Sequence, residues 1–287
     1  MTLRHILVPM LGVVDDTPAL STAFGIAKTV GAHVEALFPA MDPRQAAAYG
    51  GYVSPFILDR IMKETDADNA RRREQTSTLF AKLVREHGVH LRDQPGTPGQ
   101  ASAAYLERIG EPNGLVVDAG RLSDLIIIEL LREDKQIEFN PLLEVVLRDT
   151  GKPVLLVPRA MPSGFAKTIA IAWNGSVQAT RAVGFAMPLL ERASNVVVLT
   201  VEGERLFGPT AKELAAALSW HGVAASTCQL PASDQAQGQA LLTAAKHNSA
   251  DLMVLGAYTH GELRRLLFGG VTGELLAKSP LPLLMAH

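Results

Sequence analysis

The end of this chain repeats its middle. Asp124-Leu-Ile-Ile-Ile-Glu129 opens one block, which closes on Gly151-Lys-Pro-Val-Leu-Leu-Val-Pro158. Asp251-Leu-Met-Val-Leu-Gly256 opens a second, which closes on Ser279-Pro-Leu-Pro-Leu-Leu-Met285. Self-similarity of this kind indicates two copies of one fold. At 287 residues the chain is long enough for two domains of ordinary size.

The strands of both copies are continuous apolar runs, such as Leu125–Ile128 and Val196–Leu199. Runs of that kind imply burial on both faces, as in a parallel sheet covered by helices. Each copy starts with a short run, residues 4–9 and 168–173, that turns through Gly12 or Gly175 into a helical pattern. In the second copy Ala179, Ala182, Val183, Ala186 and Leu190 recur at helical spacing. Further strands are expected at 32–38 and 195–201, then at 89–92 and 223–230. Helices are expected at 57–87 and 209–220, at 99–109 and 235–247, and at 138–149 and 270–278. Residues 46–55 read as a loop. Alternation of β and α elements gives the fold class: α/β, two doubly wound parallel-sheet domains in tandem, 1–160 and 165–287. The Pro- and Gly-containing stretch 159–164 is the expected boundary. Strand five of each copy, Val154–Val157 and Leu283–Met285, would be a sheet edge, and pairing the two would protect both.

The chain is 47% hydrophobic and 20% charged, a globular composition, and its net charge of -2 gives no electrostatic reason for a nucleic-acid or anionic-membrane partner. Its one cysteine, Cys228, excludes an intramolecular disulfide and reads as a small apolar strand residue. No apolar run reaches the ~18 residues of a membrane span. The N-terminus enters a strand pattern directly, without a secretory signal pattern, so a cytoplasmic location is expected. Arg71-Arg-Arg73 is surrounded by Glu64, Asp66, Asp68 and Glu74 and reads as a solvated helix face. His87 and His90 lack co-ligands for a metal.

In an open parallel sheet, ligands bind beyond the carboxyl ends of the strands where the winding reverses. In the second copy that crevice lies between Trp173-Asn-Gly-Ser176 and Gly256-Ala-Tyr-Thr-His260. Asn174 could offer an acceptor and a donor to a heterocycle edge. Gly269 and Gly270 precede a helix starting near Val271, where free N–H groups suit phosphate, and the Thr272 hydroxyl adds a donor. Arg264 and Arg265 could supply charge. His260 reads as a capping or packing residue rather than a base. The competing reading is that the glycines only shape turns. Asn174, Gly175, Ser176, Gly256, Thr259, His260, Gly269, Gly270, Val271 and Thr272 form the candidate nucleotide-binding set. No catalytic or metal-binding residue is assigned.

On these residues the chain resembles the universal stress protein family, in its tandem, two-copy bacterial form. The resemblance is strongest in Ile169–Ser176 and Asp251–His287. It implies an adenine nucleotide alpha hydrolase-like fold, a stress-response role without catalysis, and an adenine nucleotide, ATP with magnesium, in the second copy. Nucleotide-binding members follow Gly-x2-Gly-x9-Gly-(Ser/Thr), with an aspartate after strand one. Here Gly256 and Gly269 match the first and third glycines. Thr259 stands at the second, Gly270 at the Ser/Thr position, and Asn174 replaces the aspartate. In the first copy Leu11 and Glu129 take the aspartate and first-glycine positions, so no nucleotide is expected there. An intrachain pseudo-dimer, a homodimer and a regulatory protein partner are the expected associations. A ligand-free interaction module and, behind it, an ATP-dependent enzyme on a related fold are the alternatives.

Overall fold

In the computed structural model, the described residues are 2–48, 54–93, 99–130, 132–133, 136–137, 141–159, 165–202, 207–231, 236–257 and 270–287. The chain forms two compact units, Leu3–Ile128 and Glu129–His287.

The first unit runs β1 His5–Pro9, α1 Thr17–Val30, β2 His33–Met41, α2 Pro43–Ala48, α3 Pro55–His87, β3 His90–Leu91, β4 Ser102–Gly110, α4 Pro112–Leu122 and β5, which begins at Leu125 and ends at Glu129. Its strands lie in the order β5-β1-β2-β4-β3, with every pair parallel. Ile6, Leu7 and Val8 are all fully buried, so both faces of β1 are covered. Local sequence sets the helix ends. Pro18 starts α1, and Gly31, at φ 69, ends it with its N–H on the Ala27 carbonyl. Ser54 caps α3 before Pro55, and Gly88 at φ 63 closes it.

Three expectations are corrected here. Residues 102–110 are a strand, not part of a helix over 99–109, and His90–Leu91 is only a two-residue edge strand. The Ala, Leu, Glu and Arg of 102–110 favour a helix in isolation. Pairing with β2 along the whole segment, from His33↔Ser102 to Met41↔Gly110, overrides that preference. Residues 46–48 belong to α2 rather than to a loop. The Arg71–Arg73 face is solvated and ion-paired as expected: Arg71 and Arg72 pair with Asp68, and Arg73 pairs with Glu107. His87 packs its ring on Phe24.

The second unit contains the short ribbon β6 Arg132–Glu133 and β7 Gln136–Ile137, then α5 Pro141–Asp149, β8 Val154–Val157, β9 Thr168–Ala172, α6 Val177–Leu190, β10 Asn195–Val201, α7 Ala211–Ser219, β11 Ala225–Leu230, α8 Gln237–His247, β12 Leu252–Gly256, α9 Val271–Lys278 and β13 Leu283–Ala286. The sheet order is β11-β10-β9-β12-β13-β8. The chain starts in the middle at β9, winds out through β10 to β11, and returns to β12 on the other side. Cys228 lies in β11, half-buried.

β8 joins this sheet antiparallel to β13, with Leu155 opposite Leu284 and Val154 opposite Met285. The two strand-five segments therefore pair, and all eight residues are buried. This pair also places the end of the first sequence copy inside the second compact unit. Of the expected boundary stretch, 160–164 lie outside the described residues.

The aspartates that open the repeated blocks do the same job twice. The Asp124 carboxylate accepts hydrogen bonds from the Arg4 and His5 N–H groups at 2.8 and 3.0 Å. The Asp251 carboxylate accepts from Lys167 and Thr168 at 3.1 and 3.2 Å. Each fixes the start of the central strand of its copy.

Candidate functional site

The winding reverses between β9 and β12, which pair in parallel from Leu252↔Ile169 to Leu255↔Ala172. Beyond their carboxyl ends lie the turn Trp173–Ser176 and Gly256–Ala257. Trp173 is buried and donates its indole N–H to the Pro209 carbonyl at 2.8 Å. The Asn174 side-chain oxygen accepts the Ser176 N–H at 3.1 Å, and its backbone carbonyl accepts the Phe207 N–H at 2.9 Å. Gly175 sits at φ 74. The Ser176 hydroxyl accepts the Ala179 N–H at 3.1 Å and caps α6. The acceptor that Asn174 would turn to a ligand thus already closes the turn, which leaves its amide N–H2 and the second lone pair of that oxygen.

The glycines have packing partners. A Cβ on Gly256 would stand 2.5 Å from the Ala179 nitrogen, so this glycine lets β12 end against the first turn of α6. A Cβ on Gly175 would meet the Gly208 nitrogen at 2.7 Å. At these two positions the turn-shaping and close-packing reading accounts for the residue. Sequence reading missed Phe207 and Gly208, which pack on the turn at Asn174 and Gly175. They lie about thirty residues further along the chain, and no local pattern links them to it.

Gly270 is the N-cap of α9, at φ 90 and without a side-chain cap. Val271 and Thr272 form its first turn, with Thr272 buried. Among the described residues no side chain caps the N–H groups of this turn, which suits an anion. Glu274 stands in the same turn, but its carboxylate is directed to the Gly238 N–H of α8 at 2.8 Å. It caps α8, whose N-cap residue Ala236 has no side-chain acceptor. The turn Asn174–Ser176 and Gly256 therefore meet across the start of α6, and Gly270–Thr272 open a helix packed against the start of α8.

Thr259, His260, Arg264, Arg265 and Gly269 lie outside the described residues. Among the described residues no group of three His, Cys, Asp or Glu side chains could hold a metal ion, and no helix is long and apolar enough to cross a membrane. In the first copy, Glu129 is buried and lies 3.8 Å from the Arg159 guanidinium, so its charge is balanced locally.

The sequence model of the universal stress protein family matches residues 234–287. The fold of the whole chain resembles a universal stress protein from Archaeoglobus fulgidus DSM 4304, with a TM-score of 0.73 at 14% identity over 99% of this chain and 96% of that one. It also resembles a Pseudomonas aeruginosa UCBPP-PA14 protein provisionally assigned to the same family, with a TM-score of 0.57 at 16% identity over 99% and 93% of the two chains. The family model thus matches the C-terminal part of the chain, and the likeness over the whole chain is one of fold. No curated protein matches the sequence. At these identities the structural likeness establishes the α/β fold and its span, and the universal stress protein sequence is matched in the C-terminal part.

Proposed function

We propose that this chain is a universal stress protein that acts in a stress response by binding rather than by catalysis, with an adenine nucleotide as the ligand of its second copy. The observation that supports this most is the start of α9, where Gly270 leaves the N–H groups of the first turn without a side-chain cap. Phosphates would lie there, beside the Thr272 hydroxyl and Gly269, with the base toward the Asn174 amide. The residues fit the nucleotide: among the described residues the Asn174 amide N–H2 has no partner, and Glu274 has its carboxylate engaged on α8. ATP bound with magnesium would bring its metal on the phosphates. The Ser176 hydroxyl at the crevice is spent as a helix cap, which favours binding over nucleophilic chemistry. The antiparallel pair β8–β13 supports a pseudo-dimer of the two copies within one chain, with a regulatory protein as the further partner.

A second reading is a ligand-free interaction module. It is favoured by Gly175 and Gly256, both of which are explained by packing alone. Titration calorimetry of the whole chain with ATP and magnesium separates the two. Heat that saturates at one site, lost in Gly270→Val, is the expected result. No heat and no rise in melting temperature at millimolar ATP would leave the interaction module.

A further inference from the structure

The first unit contains a cavity of about 420 Å³. It opens beyond the carboxyl ends of β1 and β2, at Leu11, Phe38 and Met41, and α3 walls it through Ile61. The volume falls within the ~300–1,000 Å³ usual for small-molecule sites.

The polar groups of its walls already have partners within the chain. Asn69 spans the Met41 backbone, its side-chain oxygen accepting the Met41 N–H at 3.2 Å and its amide donating to the Met41 carbonyl at 2.8 Å. The Thr65 hydroxyl donates to the Ile61 carbonyl at 2.9 Å. The Arg72 guanidinium is 2.7 Å from Asp68, and Glu64 is 2.7 Å from Arg60. A polar ligand would have to displace these bonds. What the walls leave unsatisfied is apolar surface: Leu11, Met41 and Ile61 are each half-buried. A nucleotide is disfavoured twice over. Leu11 presents no hydrogen-bonding atom to a base edge, and the walls hold two carboxylates against one guanidinium, which opposes phosphate.

We propose that this cavity binds a small, uncharged, predominantly apolar molecule. The site is independent of any nucleotide in the second copy. The test is fluorescence titration of the whole chain with N-phenyl-1-naphthylamine, an uncharged aromatic probe. The expected result is saturable, blue-shifted emission at one probe per chain, unaffected by millimolar ATP with magnesium. Ile61→Glu, which places a charge on the wall at a half-exposed helix position, should weaken binding at least tenfold with an unchanged melting temperature. If that variant does not melt cooperatively, Leu11→Trp, which fills the cavity, should give the same loss. Displacement of the probe by ATP, absence of saturable emission, or unchanged affinity in a folded cavity variant would overturn the proposal.

Discussion

Gly175 and Gly208 touch backbone to backbone: a Cβ on Gly208 would stand 2.5 Å from the Gly175 carbonyl oxygen. This contact holds the Phe207–Pro209 segment over the turn that follows the central strand, and it is backed by the bond from the Trp173 indole to Pro209. Backbone atoms cannot rotate out of the way, so a methyl at Gly208 must push the segment off the turn. Gly208→Ala should cost about 1–3 kcal/mol, as overpacked sites do. Loss of the indole bond should move the emission of buried Trp173. Unchanged stability and emission would mean that the segment slides freely.

Asp16 is buried beyond β1, where its carboxylate accepts the Gly12 N–H at 3.1 Å. Burial pushes its pKa up to about 6, against the opposing bonds from Gly12 and Leu11. A carboxyl raised in the folded state binds its proton more tightly there than in the unfolded chain. Its contribution to stability therefore falls as pH rises from the unfolded value near 3.8 through about 6. Above that window the buried charge costs up to about 3 kcal/mol. Asp16→Asn keeps an acceptor for Gly12 and should raise stability at neutral pH while flattening the pH 4–6 slope. Urea denaturation at pH 4.5 and 7.5 checks both; a loss of stability at pH 7.5 would contradict the account.

His5 and Glu35 form a second pH-dependent pair, 3.3 Å apart on adjacent strands. The bond to Glu35 raises the His5 pKa despite its burial, and the same bond lowers that of Glu35. Arg108, 3.7 Å from Glu35, acts in the same direction on the carboxylate. His33, stacked on His5, is itself held down by burial. The histidine contribution is complete below its unfolded pKa of 6.5 and is lost as pH rises through the raised folded value. The glutamate contribution is complete above 4.5 and is lost as pH falls through its lowered value. The pair is thus worth most between about 4.5 and 6.5. Glu35→Gln should bring the His5 titration down, read from its ring-proton NMR shift; an unmoved His5 titration would show that the pair does not form.

How much of this was legible in the sequence depends on whether the information was local. Apolar runs such as Ile126–Ile128 and the helical spacing from Ala179 to Leu190 are local, and they give the alternating α/β order. From that order alone the crevice between Trp173 and Gly256 follows. The third strand of the first copy was not legible, because Ala103–Ile109 reads as a helix until β2 lies beside it. The roles of Gly175, Gly208 and Gly256 were not legible either. A glycine against a phosphate and a glycine against a neighbouring backbone look the same in one dimension. Glu274 shows the same limit: its first-turn position suggested nothing, and its partner is thirty-six residues away on another helix.

The pairing of Leu155 with Leu284 tests the strand join most directly, since the two residues are 0% and 1% exposed. A charge at either position has no water and no counter-ion, so Leu284→Asp should cost more than about 4 kcal/mol. The readout is specific to the second unit, because both tryptophans, Trp173 and Trp220, lie in it. Trp220 is 90% exposed and Trp173 is buried, so the change in emission on unfolding comes mainly from Trp173. In urea the Trp173 transition should move to much lower concentration in Leu284→Asp, while Leu284→Val, which keeps the strand apolar, should move it only slightly. The mutant should also associate more readily, as an unpaired apolar edge does. If the aspartate variant unfolds at the wild-type midpoint and stays monodisperse, β8 and β13 contribute nothing to one another.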